Sequence, residues 1–479
     1  MKISIKNFGP IEHFEFDLEK DLHVIYGENN IGKSWAINLI YLVLKSYERF
    51  IESDDFEFNV KTSYVNEVKE NIFDLMQIED INKLVLNNYL VELCEKNLNI
   101  FTEFLHSSLK NTFSNIVNTQ TKLKPEIEIK TDYFSFDFCF EDKAIKKLHF
   151  SIDKDIHFDY DLKEEDDDFI ELIRDFFSNN KKKTKNKKLI DEIKEEIIDQ
   201  LSFEIGFRGV QLFKNLAPDA LFDLYFLPSS REGLHHQFSN FGNILAELSR
   251  FRFQIKSQFK IPKLSEPIAD YLKNLSQVDD KVINKGLLHI VNSIESEILK
   301  AKIKFDKKKS EIKFIDNRTK IQLDILEASS MISELAPLVI FMRHIISVKK
   351  RHSKYKFYRV LFIEEPEAHL HPKVQVEMMK IFVDLAKSGV KVVMTTHSDF
   401  MMNELTNLLL EKKIDADKVG SYHLVMGEKG SYDAGDMKAT SEGIEDYNFT
   451  DVAVEQYERR MSILEKLNQE HAFTEDSAR

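Results

Sequence analysis

The 479-residue sequence predicts an α/β fold, and three stretches carry the prediction. The apolar run "LHVIY" leads straight into the glycine-containing turn "GENNIGKS" and then into a helical pattern, "WAINLIYLVLKSYERF". Far downstream, "VLFIEEPEAHLHP" sets the apolar residues Val360 to Ile363 against two carboxylates and Pro366, as a short buried strand ending at a charged tip does. The run "VKVVMTT" then stops at His397 in the same way.

The remaining elements follow in chain order. "KISIKNF" alternates in polarity as a first strand, and "LHVIY" is the second. Residues 50–120 read as mostly helical and Asn-rich. From 126 the period switches to two, so "EIEIKTDYFSFDFCF", "KKLHFSID" and "IHFDYDL" read as an antiparallel β-layer. The blocks "KEEDDD" and "KKKTKNKK" are solvated surface by composition. "LFDLYFLPSSREGL" is a strand ending in a polar turn, and 235–300 return to helical spacing. "AKIKFD", "SEIKFID" and "KIQLDIL" are short strands leading into the loop and apolar helix of "EASSMISELAPLVIFMRHII". The expected organisation is an N-terminal part over 1–163, a mainly helical insertion over 164–300 with a core strand near 222–227, and a C-terminal part over 301–479.

Composition narrows the function classes. At 43% hydrophobic the chain can bury a sizeable core, and a net charge of −14 argues against general coating of nucleic acid or of membrane surfaces. Cys94 and Cys139 are too few for a disulfide framework. No apolar stretch reaches 18 residues and the N-terminus lacks a signal-peptide core, so a soluble, cytoplasmic protein without membrane contact is expected.

"GENNIGKS" fits G-x-x-x-x-G-K-[ST] at Gly27, Gly32, Lys33 and Ser34. By ordinary residue usage, a chance match in a chain this long is on the order of one in a hundred. In such a loop the backbone N–H groups of Gly27, Glu28, Asn29, Asn30, Ile31 and Gly32 wrap a nucleotide's phosphates. Lys33 reaches the terminal phosphates and Ser34 ligates Mg2+. The loop needs a carboxylate from a neighbouring strand tip, a place Glu364 fills, while Glu365 is the candidate base that poises the attacking water. His369 and His371, two residues apart beside Pro372, make a poor zinc pair.

With these residues in hand, the chain resembles ABC-type P-loop ATPase heads of the RecF/Rad50/OLD-like branch. The motifs that carry the resemblance are "IKNFGPIEHFEF", "IYGENNIGKS", "EASSMISELAPL", "LFIEEPEAHLHP" and "VVMTTHS", in that order. The resemblance implies ATP and Mg2+ held between two heads, with Ser329 and Ser330 reaching the γ-phosphate from the partner head. Met331 stands where the family usually has glycine. It also implies that His397 is the switch histidine and that Glu367 to His369 lie in the loop crossing the dimer interface. Arg231 in "FLPSSREG" is then a nucleotide or partner sensor, with a surface ion pair as the plainer alternative.

The layout looks like a stand-alone head of the two-gene bacterial anti-phage systems, closest to the PARIS ATPase type and next to the Septu type. That resemblance implies a homo-oligomer built from head dimers, a separately encoded effector (a Toprim or HNH nuclease) and a phage trigger. Two other readings stay open: a DNA-binding repair ATPase like RecF or Rad50, and a regulatory ATP sensor with little turnover.

Overall fold

The computed structural model describes residues 1–52, 98–130, 134–141, 144–152, 220–235, 264–307, 311–346, 356–444 and 455–464. Its strands are β1 (Lys2–Phe8), β2 (Ile11–Asp17), β3 (Leu22–Gly27), β4 (Glu126–Lys130), β5 (Phe134–Glu141), β6 (Ala144–Ile152) and β7 (Ala220–Leu227). They continue with β8 (Ala301–Asp306), β9 (Glu311–Asp316), β10 (Gln322–Asp324), β11 (Lys356–Glu364), β12 (Val390–Thr396), β13 (Val419–Met426) and β14 (Ser431–Asp433), and end with the short pair β15 (Ala439–Thr440) and β16 (Gly443–Ile444). Eleven of them form one sheet in the order β6-β5-β4-β1-β2-β14-β13-β3-β12-β11-β7. The expected α/β class with an antiparallel layer is what this sheet shows. β13, β3, β12, β11 and β7 run parallel, whereas β4, β5 and β6 form an antiparallel meander beside β1.

Parallel strands covered on both faces need near-continuous apolar runs, and β12 is buried at every residue. Along β11, Val360 and Phe362 join the core on one face while Leu361 and Ile363 join the core on the other. The first core takes in α1 (Lys33–Glu52), which packs across β12, β11 and β7. The second takes in α3 (Ser330–Ile340), α4 (Pro372–Lys387) and α5 (Asp399–Leu410). Between these in sequence, α2 (Glu266–Ser276) is tied to α1 by the Tyr41 hydroxyl donating to Asp270 at 2.7 Å. β8, β9 and β10 form a separate antiparallel sheet, and Asp324 with Glu327 make a capping box just before α3. The run "IHFDYDL", both charge blocks, and most of the expected helices of 50–97 and 164–263 lie outside the described residues.

One feature corrects the sequence reading, and the position of His371 agrees with it. β11 is not next to β3, because β12 lies between them. Glu364 therefore reaches the phosphate loop by way of α1, which spans the intervening strand. His371 belongs to the start of α4, where its Nδ1 accepts from the Lys373 N–H at 3.3 Å and Pro372 takes the first helical position.

His23 on β3 yields a stability prediction. It is fully buried, with Nε2 3.1 Å from the Lys20 carbonyl, so Nε2 carries the proton of a neutral ring. Burial first, and the Lys391 cation second, pull its pKa down to about 3. Between an unfolded value near 6.5 and the folded value, the unfolded chain takes up a proton that the folded one refuses. Stability is therefore lost as pH falls through that window, by up to about 1.4 kcal/mol per pH unit. Denaturant unfolding at pH 7 and pH 5 is expected to show about 2 kcal/mol more loss for wild type than for His23→Phe. Equal losses would remove His23 as the cause.

Candidate functional site

The parallel strands end together, and the candidate residues sit at those ends. β3 closes on Gly27, and the turn 28–32 delivers Lys33 and Ser34 as the first residues of α1. Gly27 has φ 149°, and a Cβ there would stand 2.3 Å from Ile31 Cδ1 and 2.5 Å from the Leu424 carbonyl oxygen. Gly32 has φ 104° and packs against the Pro10 ring, where a Cβ would lie 2.9 Å from Pro10 Cγ. Both positions require glycine, and Asn30 also takes a positive φ, of 63°.

Lys33 is 5% exposed, and its ammonium donates to the carbonyls of Gly27 (2.8 Å) and Glu28 (2.6 Å). Burial lowers its pKa against the pull of Glu365, Glu367 and Glu28. A buried cation whose hydrogen bonds end on neutral carbonyls fits an anionic ligand, and the glycine-lined turn offers the N–H groups such a ligand needs.

Glu364 is buried at the tip of β11. It accepts from Asn38 Nδ2 at 3.1 Å and from the Ser229 N–H at 3.3 Å, with the Ser34 hydroxyl close by. Burial raises its pKa, with the Ser229, Ser34 and Asn38 hydrogen bonds acting in opposition and the Glu365 charge adding to the rise. A carboxylate beside a hydroxyl is a hard-oxygen donor set that suits Mg2+. Glu365 follows in a left-handed backbone conformation, φ 42°, its N–H bonded to the Thr395 carbonyl at 3.1 Å. Adjacent carboxylates on an extended strand would face opposite sides, and this local twist takes Glu365 off the strand pattern.

Glu367 is 4% exposed and its side chain is turned inward. Its Oε1 accepts from Thr396 Oγ1 (2.7 Å) and from the His397 N–H (2.8 Å), and lies 3.3 Å from His397 Nδ1. Its Oε2 is buried with no hydrogen-bond partner among the described residues. The structure thus gathers Gly27 to Ser34, Glu364, Glu365 and His397 at one sheet edge. Ser329 and Ser330 begin α3 instead; Ser329 is exposed at its N-cap and makes no side-chain cap bond.

The sequence reading missed Asn38, Ser229 and the inward role of Glu367. Asn38 lies one helical turn beyond Ser34, a spacing that places the two on one face. Arg231 was also misplaced: the surface ion pair offered as its plainer alternative is a buried one, with Glu334. Among the described residues no three His, Cys, Asp or Glu side chains cluster as a metal site, and no helix is long and apolar enough to cross a membrane.

Residues 1–402 match the family model described as AAA ATPase domain. No curated protein matches the chain. Among solved structures, the SMC head domain from Thermotoga maritima is 8% identical, with TM-score 0.33, covering 90% of this chain and 96% of that chain. The SmcHead bound to the C-winged helix domain of ScpA is 10% identical, with TM-score 0.34 and coverage of 90% and 95%. The Smc head domain with an extended coiled coil, bound to the C-terminal domain of ScpA derived from Pyrococcus furiosus, is 12% identical, with TM-score 0.32 and coverage of 98% of each chain.

Proposed function

Because the chain belongs to the AAA ATPase domain family, we propose that it is a Mg2+-dependent ATPase whose heads assemble around ATP and control a separately encoded effector, a nuclease, in anti-phage defence. One observation carries the catalytic part: Lys33, Ser34, Glu364, Glu365 and His397 meet where β3, β11 and β12 end. The defence role is supported by the resemblance of the chain's motifs, in their order, to those of two-gene anti-phage ATPases.

In this reading each residue has a defined task. Lys33 exchanges its carbonyl partners for the terminal phosphates. Ser34 and Glu364 hold Mg2+, and Asn38 and the Ser229 N–H fix the Glu364 carboxylate. Bound Mg2+ neutralises phosphate charge and so favours attack on the γ-phosphate. Glu365 orients the water and takes its proton. Glu367 accepts from the Thr396 hydroxyl and the His397 backbone N–H and so fixes the strand end that carries the His397 ring toward the γ-phosphate.

Ser329 and Ser330 act on the nucleotide of a second head. Replacing both with Leu is expected to leave ATP binding by the single head within about twofold while abolishing ATP-dependent dimerisation and lowering hydrolysis at least about a hundredfold. Fluorescent-nucleotide titration reads binding, light scattering with ATP and Mg2+ reads dimerisation, and phosphate release reads hydrolysis. Dimers that persist in this variant would remove the serines from the interface. Phosphate release with and without duplex DNA, together with a search for a co-purifying nuclease, tests the wider assignment. Turnover that depends on DNA would favour a repair ATPase, and negligible turnover a sensor.

A further inference from the structure

We propose that Arg231 is a positioning residue that holds the Glu364-Glu365 strand end and α3 in fixed register, a role that rests on the ATPase reading above. Its side chain is 1% exposed, and it opens the helical segment that follows the turn after β7, at the point where three segments converge. Nη1 donates to the carbonyls of Pro228 (2.9 Å) and Glu364 (3.0 Å), and Nη2 lies 3.5 Å from the Glu365 carbonyl. Nε donates to the Glu334 carbonyl at 3.0 Å, with Glu334 Oε2 at 2.9 Å completing a buried ion pair. Glu334 in turn accepts from the Glu232 N–H at 3.2 Å, closing the ring onto the same turn.

Glu364 and Glu365 are the two carboxylates of the site, and Glu365 holds a left-handed backbone conformation that the chain adopts only when its surroundings impose it. A planar guanidinium with five N–H groups in a fixed fork can hold both carbonyls and Glu334 at once, which an ammonium cannot. Glu334 is one turn along α3 from Ser330, so the same guanidinium seats the helix that presents Ser329 and Ser330. Arg231 touches neither carboxylate side chain. It acts through the backbone that carries them, and through the helix that faces the second head.

The test uses the full chain in two variants. Arg231→Met combined with Glu334→Met removes both buried charges together and keeps similar volume, so no lone charge is stranded in the core. Arg231→Lys keeps the charge and loses the fork. In both, kcat for ATP is expected to fall about ten- to a hundredfold with KM within about twofold. In nucleotide-free protein, hydrogen exchange is expected to speed up at the Ala368 N–H, bonded to the Glu365 carbonyl at 3.1 Å, and at the Ser333 N–H, bonded to the Ser329 carbonyl at 3.0 Å. Exchange across β1 and β2 is expected to stay unchanged. Wild-type kcat and wild-type exchange at both amides would overturn the proposal, as would full rescue by Lys. Absence of ATPase activity in the wild type would overturn the functional reading instead, while the exchange rates of nucleotide-free protein still decide the role of Arg231.

Discussion

A Glu365→Gln protein is expected to bind ATP as tightly as wild type and to turn it over at least about a hundredfold more slowly, as the loss of a general base predicts. The amide keeps the size of the carboxylate and can still hydrogen-bond water, but it accepts no proton. Ground-state contacts from Lys33 and the loop remain, so KM changes little and the loss falls on kcat. ATP that is held and not cleaved keeps two heads together, so the variant should accumulate as a closed dimer that wild type forms only transiently. Glu364→Gln should fail differently. Its carboxylate is the buried one, braced by Asn38 and Ser229, so its loss weakens Mg2+-dependent nucleotide binding itself. Single-turnover hydrolysis and light scattering decide the matter, and wild-type hydrolysis by Glu365→Gln would remove the base from the mechanism.

Lys33→Ala is expected to lower ATP affinity by roughly a hundredfold or more, since about 1.5–3 kcal/mol goes with each charge-assisted hydrogen bond lost. The fold should survive. The carbonyls of Gly27 and Glu28 lose a donor, yet the chain is also relieved of a buried cation whose pKa burial already depresses. Fluorescent-nucleotide titration alongside a thermal melt separates the two effects. A folded variant with wild-type affinity would sink the phosphate-loop assignment.

What could be read directly from the sequence was local. Gly27 to Ser34 and Val360 to Glu365 each state their structure within a few consecutive residues, because a buried strand must stop where a tight turn or a charge begins. The antiparallel layer was legible from its two-residue period. The partners of Glu364 were not, because Asn38 and Ser229 reach it only once α1 spans β12 and the turn after β7 folds over the strand ends. Arg231 was misjudged for the same reason: a charged residue in a polar turn reads as solvated until Glu334, far along the chain, is packed against it. The inward turn of Glu367 likewise depends on Thr396 and His397, which arrive on a different strand.

The strand that leads into the phosphate loop takes both of its sheet neighbours, β12 and β13, from the other end of the chain. During synthesis, β3 therefore leaves the ribosome with neither edge paired. At ordinary elongation rates the stretch between Gly27 and Val390 takes about 20 to 70 s to make. The β1–β2 hairpin can close early, but the loop cannot be set until the last parallel strands emerge. A nascent chain is thus kept from gripping nucleotide until most of it has been translated, and its exposed strand edges meanwhile make it a natural client for chaperones.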